Sequence, residues 1–583
     1  MSQTQEKETP KTPEELELHW FRTVYQGDDM PQLTWRAVLM GSVLGGFMSL
    51  SNLYVGLKTG WGLGVAITAC ILSFAIYKTL MAAFPRLFPT EMSILENNCM
   101  QSTASAAGYS TGGTMVSAIA AYLLVTGHHI AWPTLVCWTF FLAALGVFMA
   151  VPMKRQMINV EQLKFPSGIA AAETLRSLHS KGAEALKKAH ALGVGGVVGG
   201  VVAWCRDAAW PKFLAIPGHL EIPGSLGGLP LAKWTISMEV SAIMIAAGAI
   251  IGWRVAWSML LGAAVNYGVL APWMVSLGAI DSSKVGYRAI VSWSTWAGAS
   301  IMVSSALFAF TLQWRSILRV FGGFASSFSR TSPSASEDPL ARIEVPGSWF
   351  LSGVGLSGLG CMAVLYFAFG TTWWMGFTAV AMTFFLSVVA CRVTGESDTT
   401  PVGAMGKMTQ LLFGALAPSN LVTNLMTASV TAGAAGSSAD LLVDLKSGYL
   451  LGANPRKQFI AQFLGIFAGT LVVVPAFYLL VPDAQTLGTD RWPAPSAQVW
   501  AAVARLLADG FHALHPTARM GLLLGLAVGV LIPALELAFP KYKSYIPSAT
   551  GLGLSMVIPF FNSLSMFLGA LIALTLEKKR PEL

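Results

Sequence analysis

Charge is scarce in this sequence. Aspartate, glutamate, lysine and arginine together make up 11% of its 583 residues, where a soluble chain needs roughly 25% to keep its surface hydrated. That shortfall excludes the string of soluble domains that the length alone would allow. Cysteine is sparse too. Cys70, Cys99, Cys137, Cys205, Cys361 and Cys391 form no CxxC pair and lie mostly in apolar stretches. A zinc site or a disulfide framework is therefore not expected, and they read as small core hydrophobes. A phosphate loop and an HExxH motif are also missing from the sequence. An ATP-driven pump or an enzyme is thus without support, and coupling to an ion gradient is the default. The polar, glutamate-rich N-terminal stretch shows no cleavable signal peptide.

What is present is apolar. Hydrophobic residues make up 54% of the chain and mean hydropathy is +0.60. They come as long unbroken runs, which makes lipid the solvent. The 58 glycines fit helices that approach closely in a bilayer. Runs of about 20 apolar residues, enough to cross the hydrocarbon, fall near 35–57, 61–84, 131–153, 188–206, 234–252, 254–276 and 290–313. More follow near 347–369, 371–391, 457–481, 517–537 and 549–576, with a weaker candidate at 495–509. Two stretches, 91–126 and 399–440, are so rich in Gly, Ser, Thr and Ala that each reads as one or two broken or re-entrant helices. The fold class expected is an all-α polytopic membrane protein of about 14–16 helices, about eight per half.

The net charge of +8 does not point to nucleic acid, because the cations sit between apolar runs. Lys154, Arg155, Lys164, Arg176, Lys181, Lys187 and Lys188 fall in one such loop. Arg315, Arg319, Arg330 and Arg342 fall in another, and Lys578, Lys579 and Arg580 in the C-terminal tail. The positive-inside rule makes all three cytoplasmic, with both termini on that side. The Ser-rich stretch 323–346 has linker composition. The expected organisation is an N-terminal tail (1–34), a first repeat (35–313), a cytoplasmic linker (314–346), a second repeat (347–576) and a C-terminal tail (577–583).

An internal repeat supports two halves. At an offset of 312, Leu53, Tyr54, Thr59, Trp61, Gly64 and Ala69 fall on Leu365, Tyr366, Thr371, Trp373, Gly376 and Ala381. At an offset of 280, Ser167, Gly168 and Arg176 fall on Ser447, Gly448 and Arg456. An even number of spans per unit makes the halves parallel, with the substrate site expected near the midplane between them, where discontinuous helices expose backbone to a cavity.

Candidate site residues cluster in the two broken stretches. In the first, Glu96 is followed by Asn97, Asn98 and Gln101, and Glu96 and Asn97 share a helical face with Gln101. Either Glu96 binds a proton at membrane depth beside substrate-binding amides, which would raise its pKa by desolvation, or it caps a helix at the interface. In the second, Asp440 and Asp444 lie at i and i+4, followed by Lys446, Tyr449, Asn454, Arg456 and Lys457. Paired carboxylates and cations suit a charged or zwitterionic ligand; a cytoplasmic loop with internal ion pairs is the alternative. Glu161, Glu173 and Arg176 offer the same ambiguity in the first half, and Glu239 near the start of a span is a further buried candidate. His128 and His129 read as solvated rather than metal-ligating.

The strings ENNCMQS (96–102), LKFPSGIAAAETLRSLH (163–179), DLLVDLKSGYLLGANPRKQFIAQFLG (440–465) and IPSATGLGLSMVIPFFNSLSMFLGA (546–570) resemble the oligopeptide transporter (OPT) superfamily, on its prokaryotic and yellow-stripe-like branch. The likeness runs from about residue 32 to the C-terminus. It implies proton-coupled import, across the plasma membrane, of small peptides or of metal ions held by amino-acid-derived chelators. Carried over by position, its ENxxxQ string falls on Glu96, Asn97 and Gln101, and its FPSG string on Phe165, Pro166, Ser167 and Gly168. Its acidic-then-KTGY string falls on Asp444, Lys446, Ser447, Gly448 and Tyr449, with Ser in place of Thr, and Asn454-Pro455-Arg456 stands for its SPR-like element. Motifs that mark the fungal peptide branch are not found. The expected partners are a small peptide or metal–chelate substrate, protons and membrane lipid, with a homodimer open. No cofactor, resident metal or nucleic acid is expected. A channel would need no proton-coupling carboxylate, and a membrane enzyme would need a nucleophile or metal cluster at depth.

Overall fold

Lipid offers no hydrogen-bond partners, so a chain this apolar must satisfy its backbone within itself, and helices do so segment by segment. The computed structural model describes residues 13–579, except 61, 63, 87, 181, 208–211, 313–338 and 399. Most of the 323–346 linker and the end of the C-terminal tail lie outside the described residues, as do Arg315, Arg319, Arg330 and Arg580. Among those described, ten helices are long and apolar enough to cross a membrane, and the protein is an all-α polytopic membrane protein.

The first half holds α1 (Pro13–Thr23), α2 (Trp35–Thr59), α3 (Ala66–Ala83), α4 (Ile94–Ser105), α5 (Ala120–Thr126), α6 (Trp132–Met149), α7 (Val151–Lys154) and α8 (Pro166–Ser180). It continues through α9 (Gly182–Asp207), α10 (Ala242–Ile251), α11 (Trp253–Val265), α12 (Ala271–Ser276) and α13 (Tyr287–Leu312). The second half holds α14 (Gly347–Phe369), α15 (Trp373–Ser397), α16 (Val402–Leu416), α17 (Leu421–Leu451) and α18 (Pro455–Leu480). Then come α19 (Pro495–Asp509), α20 (Pro516–Ala538), α21 (Ala549–Ser555) and α22 (Phe560–Lys579). Between α9 and α10, β1 (His219–Glu221) pairs antiparallel with β4 (Ser237–Glu239), and β2 (Ser225–Leu226) with β3 (Leu229–Pro230).

Packing divides these helices into two bundles. The larger is built on α2–α8 and α14–α19 around a core that includes Leu53, Trp138, Leu142, Leu425, Phe477 and Trp500. The smaller is built on α10–α13 and α20–α22, with Tyr267, Ile290, Met259, Ile301 and Met566 in its core. Each half of the sequence therefore gives its first helices to the larger bundle and its last to the smaller. The outside is apolar: Trp35, Leu39, Val43 and Phe47 form an exposed stripe along α2 at a spacing of four residues, the face a helix presents to lipid.

The two offsets behave differently. Near the 312 offset, both copies end one helix in a left-handed glycine before turning into the next, Gly60 (φ 78°) and Gly370 (φ 65°), although these two stand 310 residues apart. Glycine tolerates this conformation without a Cβ penalty. Trp61 lies outside the described residues. At 280, the copies do not correspond: Ser167 and Gly168 open α8, whereas Ser447 and Gly448 lie in the last turns of α17. The two segments touch instead, since a Cβ on Gly168 would lie 2.5 Å from the Val443 carbonyl.

Three other sequence expectations are corrected. The 399–440 stretch is not broken after residue 420, because α17 runs unbroken for 31 residues. Its small residues serve close packing: a Cβ on Gly146 of α6 would stand 2.2 Å from the Ala434 carbonyl. The 234–252 run is not one span, since β4 occupies its start and α10 is only 10 residues long. The 549–576 run is two helices, broken around Pro559, a residue that cannot donate a backbone hydrogen bond. The 91–126 stretch is broken as expected, with α4 passing through π-helical turns at Ala106–Ser110 and Met115–Ile119 before α5.

Candidate functional site

The polar face of α4 meets α17 and α18 inside the larger bundle. Gln101 Nε2 donates to Asp444 Oδ1, in a short contact. Ser105 Oγ donates to Asp440 Oδ1 at 2.9 Å, and Gln462 Nε2 to Asp440 Oδ2 at 3.2 Å. Ser447 Oγ donates to Asn98 Oδ1 at 2.8 Å, and Gln458 Nε2 to Ser102 Oγ at 2.8 Å and to the Asp444 carbonyl at 2.6 Å. Asp444 is 1% exposed, and Asn98, Gln101, Gln458 and Gln462 are fully buried. Several polar atoms in the cluster have no partner among the described residues: Asp444 Oδ2, Gln101 Oε1, Asn98 Nδ2, Gln458 Oε1 and Gln462 Oε1. Unmade hydrogen bonds at buried groups cost about 1–3 kcal/mol each, and this concentration of them singles the cluster out as a candidate site. A Cβ on Gly448 would lie 2.0 Å from Gln458 Oε1, so the Gln458 amide would have to shift to admit one.

Glu96 sits apart from that cluster. Its carboxylate accepts from Arg36 Nε at 2.7 Å and Nη2 at 2.6 Å, from Thr34 Oγ1 at 2.7 Å and from the Ser93 backbone at 3.0 Å. Ser93 Oγ accepts from the Glu96 N–H in return, so the pair forms a capping box at the start of α4. Four donors around a carboxylate stabilise its ionised form and tie α2 to α4. Asn97 accepts from Ser73 Oγ at 2.5 Å, joining α4 to α3.

The remaining sequence-singled residues gather at the end of the bundle where α17 meets α18. Asn454 Oδ1 caps α18 by accepting from the Arg456 and Lys457 N–H groups at 3.0 and 3.2 Å. The Arg456 guanidinium donates to the Glu344 carbonyl at 2.7 Å, fixing the chain that leads into α14. Tyr449 stacks on Trp20 of α1 with ring centroids 4.7 Å apart, and its hydroxyl accepts from Gln162 Nε2 at 2.9 Å. Lys446, 4% exposed, lies 5.5 Å from the Tyr449 ring. Glu173 and Arg176 form an exposed pair at 3.0 Å, and Arg176 also reaches the Leu450 carbonyl. In the FPSG string, Phe165 is buried against Gly395, Pro166 opens α8, and Ser167 donates to Asp398 at 2.6 Å. Lys154 with Glu344, Arg155 with Glu17 at 2.8 Å, and Arg392 with Glu161 at 2.9 Å bring these loops to one side of the protein. His129 is half-buried and its ring Nε2 lies 3.1 Å from the Pro482 carbonyl.

Sequence reasoning missed Ser105, Gln458 and Gln462, whose signal was polar spacing within apolar runs, and gave Asn98 no role of its own. It also missed Lys407, alone in the apolar α16. Glu239, held as a buried candidate, pairs with Lys58 at 3.3 Å, and this ion pair joins the two bundles.

Bundles of apolar helices around a buried polar seam define a multi-pass membrane transporter. The family model described as OPT oligopeptide transporter protein matches residues 32–582, and the chain belongs to that family. Among its relatives is a Saccharomyces cerevisiae protein named by inference as an oligopeptide transporter. It is 25% identical, over 93% of this chain and 90% of its own. An Arabidopsis thaliana protein named by inference as a metal-nicotianamine transporter is 24% identical, over 95% of this chain and 84% of its own. A Haemophilus influenzae protein, again named by inference as an oligopeptide transporter, is 26% identical over 73% of this chain and 70% of its own.

Proposed function

We propose that the protein is a secondary active, proton-coupled importer of small oligopeptides across the plasma membrane, with both termini cytoplasmic. The observation that carries the coupling is the Asp440–Asp444 pair. The two carboxylates stand at i and i+4 on α17 and accept hydrogen bonds from the neutral side chains of Ser105, Gln462 and Gln101. Two like charges so close in a low dielectric repel, and one shared proton removes the repulsion. Asp444 Oδ2, buried and without a partner, is where that proton would sit. Glu96, whose carboxylate is held by Arg36, is then a strut of the frame rather than the proton carrier. Asn454, Arg456 and Tyr449 hold the end of α17 in place.

A second cargo, a metal–chelate complex, is favoured by the names of the plant relatives, which align over nearly the whole chain. Both cargoes are tested together in proteoliposomes with an acidic exterior, offered tri- to hexapeptides and ferric or nickel chelates, with the lumen read by mass spectrometry. Gradient-dependent accumulation is expected for one class. Asp444→Asn keeps the shape of the cluster and should abolish accumulation while leaving exchange of labelled for unlabelled cargo. Full accumulation in both Asp440→Asn and Asp444→Asn would remove the pair from coupling.

A further inference from the structure

A crevice between the two bundles holds two chambers at successive levels of α13. The first, about 340 Å³, is lined by Arg288, Ser292, Thr295, Gln498 and Arg505 among others. The second, about 190 Å³, is lined by Thr59, Met302, Lys407, Trp500 and Thr550 among others. Thr295 and Met302 are seven residues apart on one helix, which separates the chambers by about 10 Å at 1.5 Å per residue. The first chamber alone falls within the range of small-molecule sites, roughly 300–1,000 Å³.

The charges lining the crevice are all of one sign. Arg288 donates to the backbone carbonyls of Gln485 and Leu487, at 2.5 and 3.3 Å, and Arg505 to the carbonyl of Leu124 at 3.0 Å. Lys407, 4% exposed, donates to Gln410 Oε1 at 2.9 Å and lies 4.2 Å from the Trp500 ring centroid. Among the described residues, none of the three forms an ion pair with a carboxylate, and no aspartate or glutamate lines either chamber. A buried lysine without a counter-charge is costly, and such residues within membrane segments mark ligand pathways. Gln410 is itself fixed, donating to Asn424 and to the Trp500 carbonyl, both at 3.1 Å. The ammonium is thus held in place beside the cavity by neutral groups and one aromatic face.

We propose that the crevice is the binding path for a carboxylate-bearing cargo, with the Lys407 ammonium as the partner of that carboxylate and Trp500 as the adjoining wall. Arg288 and Arg505 in the first chamber draw the anion in by charge. This rests on the reading of the protein as an importer and names the chemistry its cargo must share. A peptide brings its C-terminal carboxylate, and a metal complex of an amino-acid-derived chelator brings the carboxylates of the chelator.

The test is calorimetric binding to the purified full chain in detergent, with trialanine, trialanine amide and nickel(II)–nicotianamine as probes. Wild type should bind at least one of the free acids. Lys407→Gln can still donate to Gln410 and should weaken that binding about 10- to 100-fold, the range for a hydrogen bond to a charged group. Lys407→Arg should stay within a few-fold of wild type. Binding of trialanine but not its amide assigns the carboxylate to peptide; binding of the nickel complex alone assigns it to a chelate. Equal binding of acid and amide, undiminished binding in Lys407→Gln, or no binding of any probe by wild type overturns the proposal. If Lys407→Gln does not fold, the acid–amide comparison and Lys407→Arg decide alone. Charge-dependent binding without gradient-driven accumulation would sink the proton-coupled import reading and leave this inference standing. Undiminished accumulation of a free acid by Lys407→Gln would do the reverse.

Discussion

Glu96, at the start of α4, and Asp444, in the polar seam, are both buried carboxylates, yet opposite chemistry holds them. Glu96 shares a bidentate arginine and two further donors. Asp444 has an amide at one oxygen and, among the described residues, no partner at the other. Glu96→Gln should therefore act on folding, lowering stability by about 3 kcal/mol, the scale for breaking a buried ion pair, in a thermal or denaturant melt of purified protein. Its residual folded fraction should accumulate cargo normally. At this scale the sequence was half legible. That Glu96, Gln101, Asp440 and Asp444 are unusual followed from their place in apolar runs. Which carboxylate Arg36 would claim did not, because 60 residues separate Arg36 from Glu96 and nothing local pairs them.

Among elements, α17 is the axis on which the larger bundle is assembled. Its glycines, serines and threonines weaken it as an isolated helix, and this is why the stretch read as broken. In the fold the same residues let α6, α8 and α15 come close, and tertiary packing outweighs propensity. Gly146→Ala should show this: the added methyl collides with the Ala434 carbonyl and should cost about 1–3 kcal/mol, read as a lower melting temperature. Gly355→Ala is a matched control, because a Cβ there meets nothing within 4 Å, and it should melt as wild type. The break in 91–126 was legible for the opposite reason. Gly108, Gly112 and Gly113 weaken the helix where two π-helical turns and the turns between them interrupt it.

For the whole molecule, the class and most span positions were readable from hydropathy, but the 234–252 and 549–576 runs and the partition into bundles were not. A linear sequence divides naturally at its linker, whereas the helices divide by packing, and both halves contribute to both bundles. The Lys58–Glu239 pair crosses between them at 3.3 Å, with both side chains largely buried. Glu239→Gln should destabilise the protein by about 3 kcal/mol by stranding the lysine. The double variant Lys58→Met/Glu239→Leu should recover most of that loss. A double variant as unstable as the sum of the singles would mean the pair is not coupled.

The seat of α1 has a consequence in time. Trp20 donates to the Tyr449 carbonyl at 2.8 Å across a separation of 429 residues, and Glu17 meets Arg155 on the same side. A ribosome adding about 5–20 residues per second finishes the docking surface only tens of seconds after the first helix has left it. Throughout that interval Trp20 has no Tyr449 to stack on, so nascent chains stalled before residue 449 and chains released at full length should differ in how readily a protease cuts near residue 20.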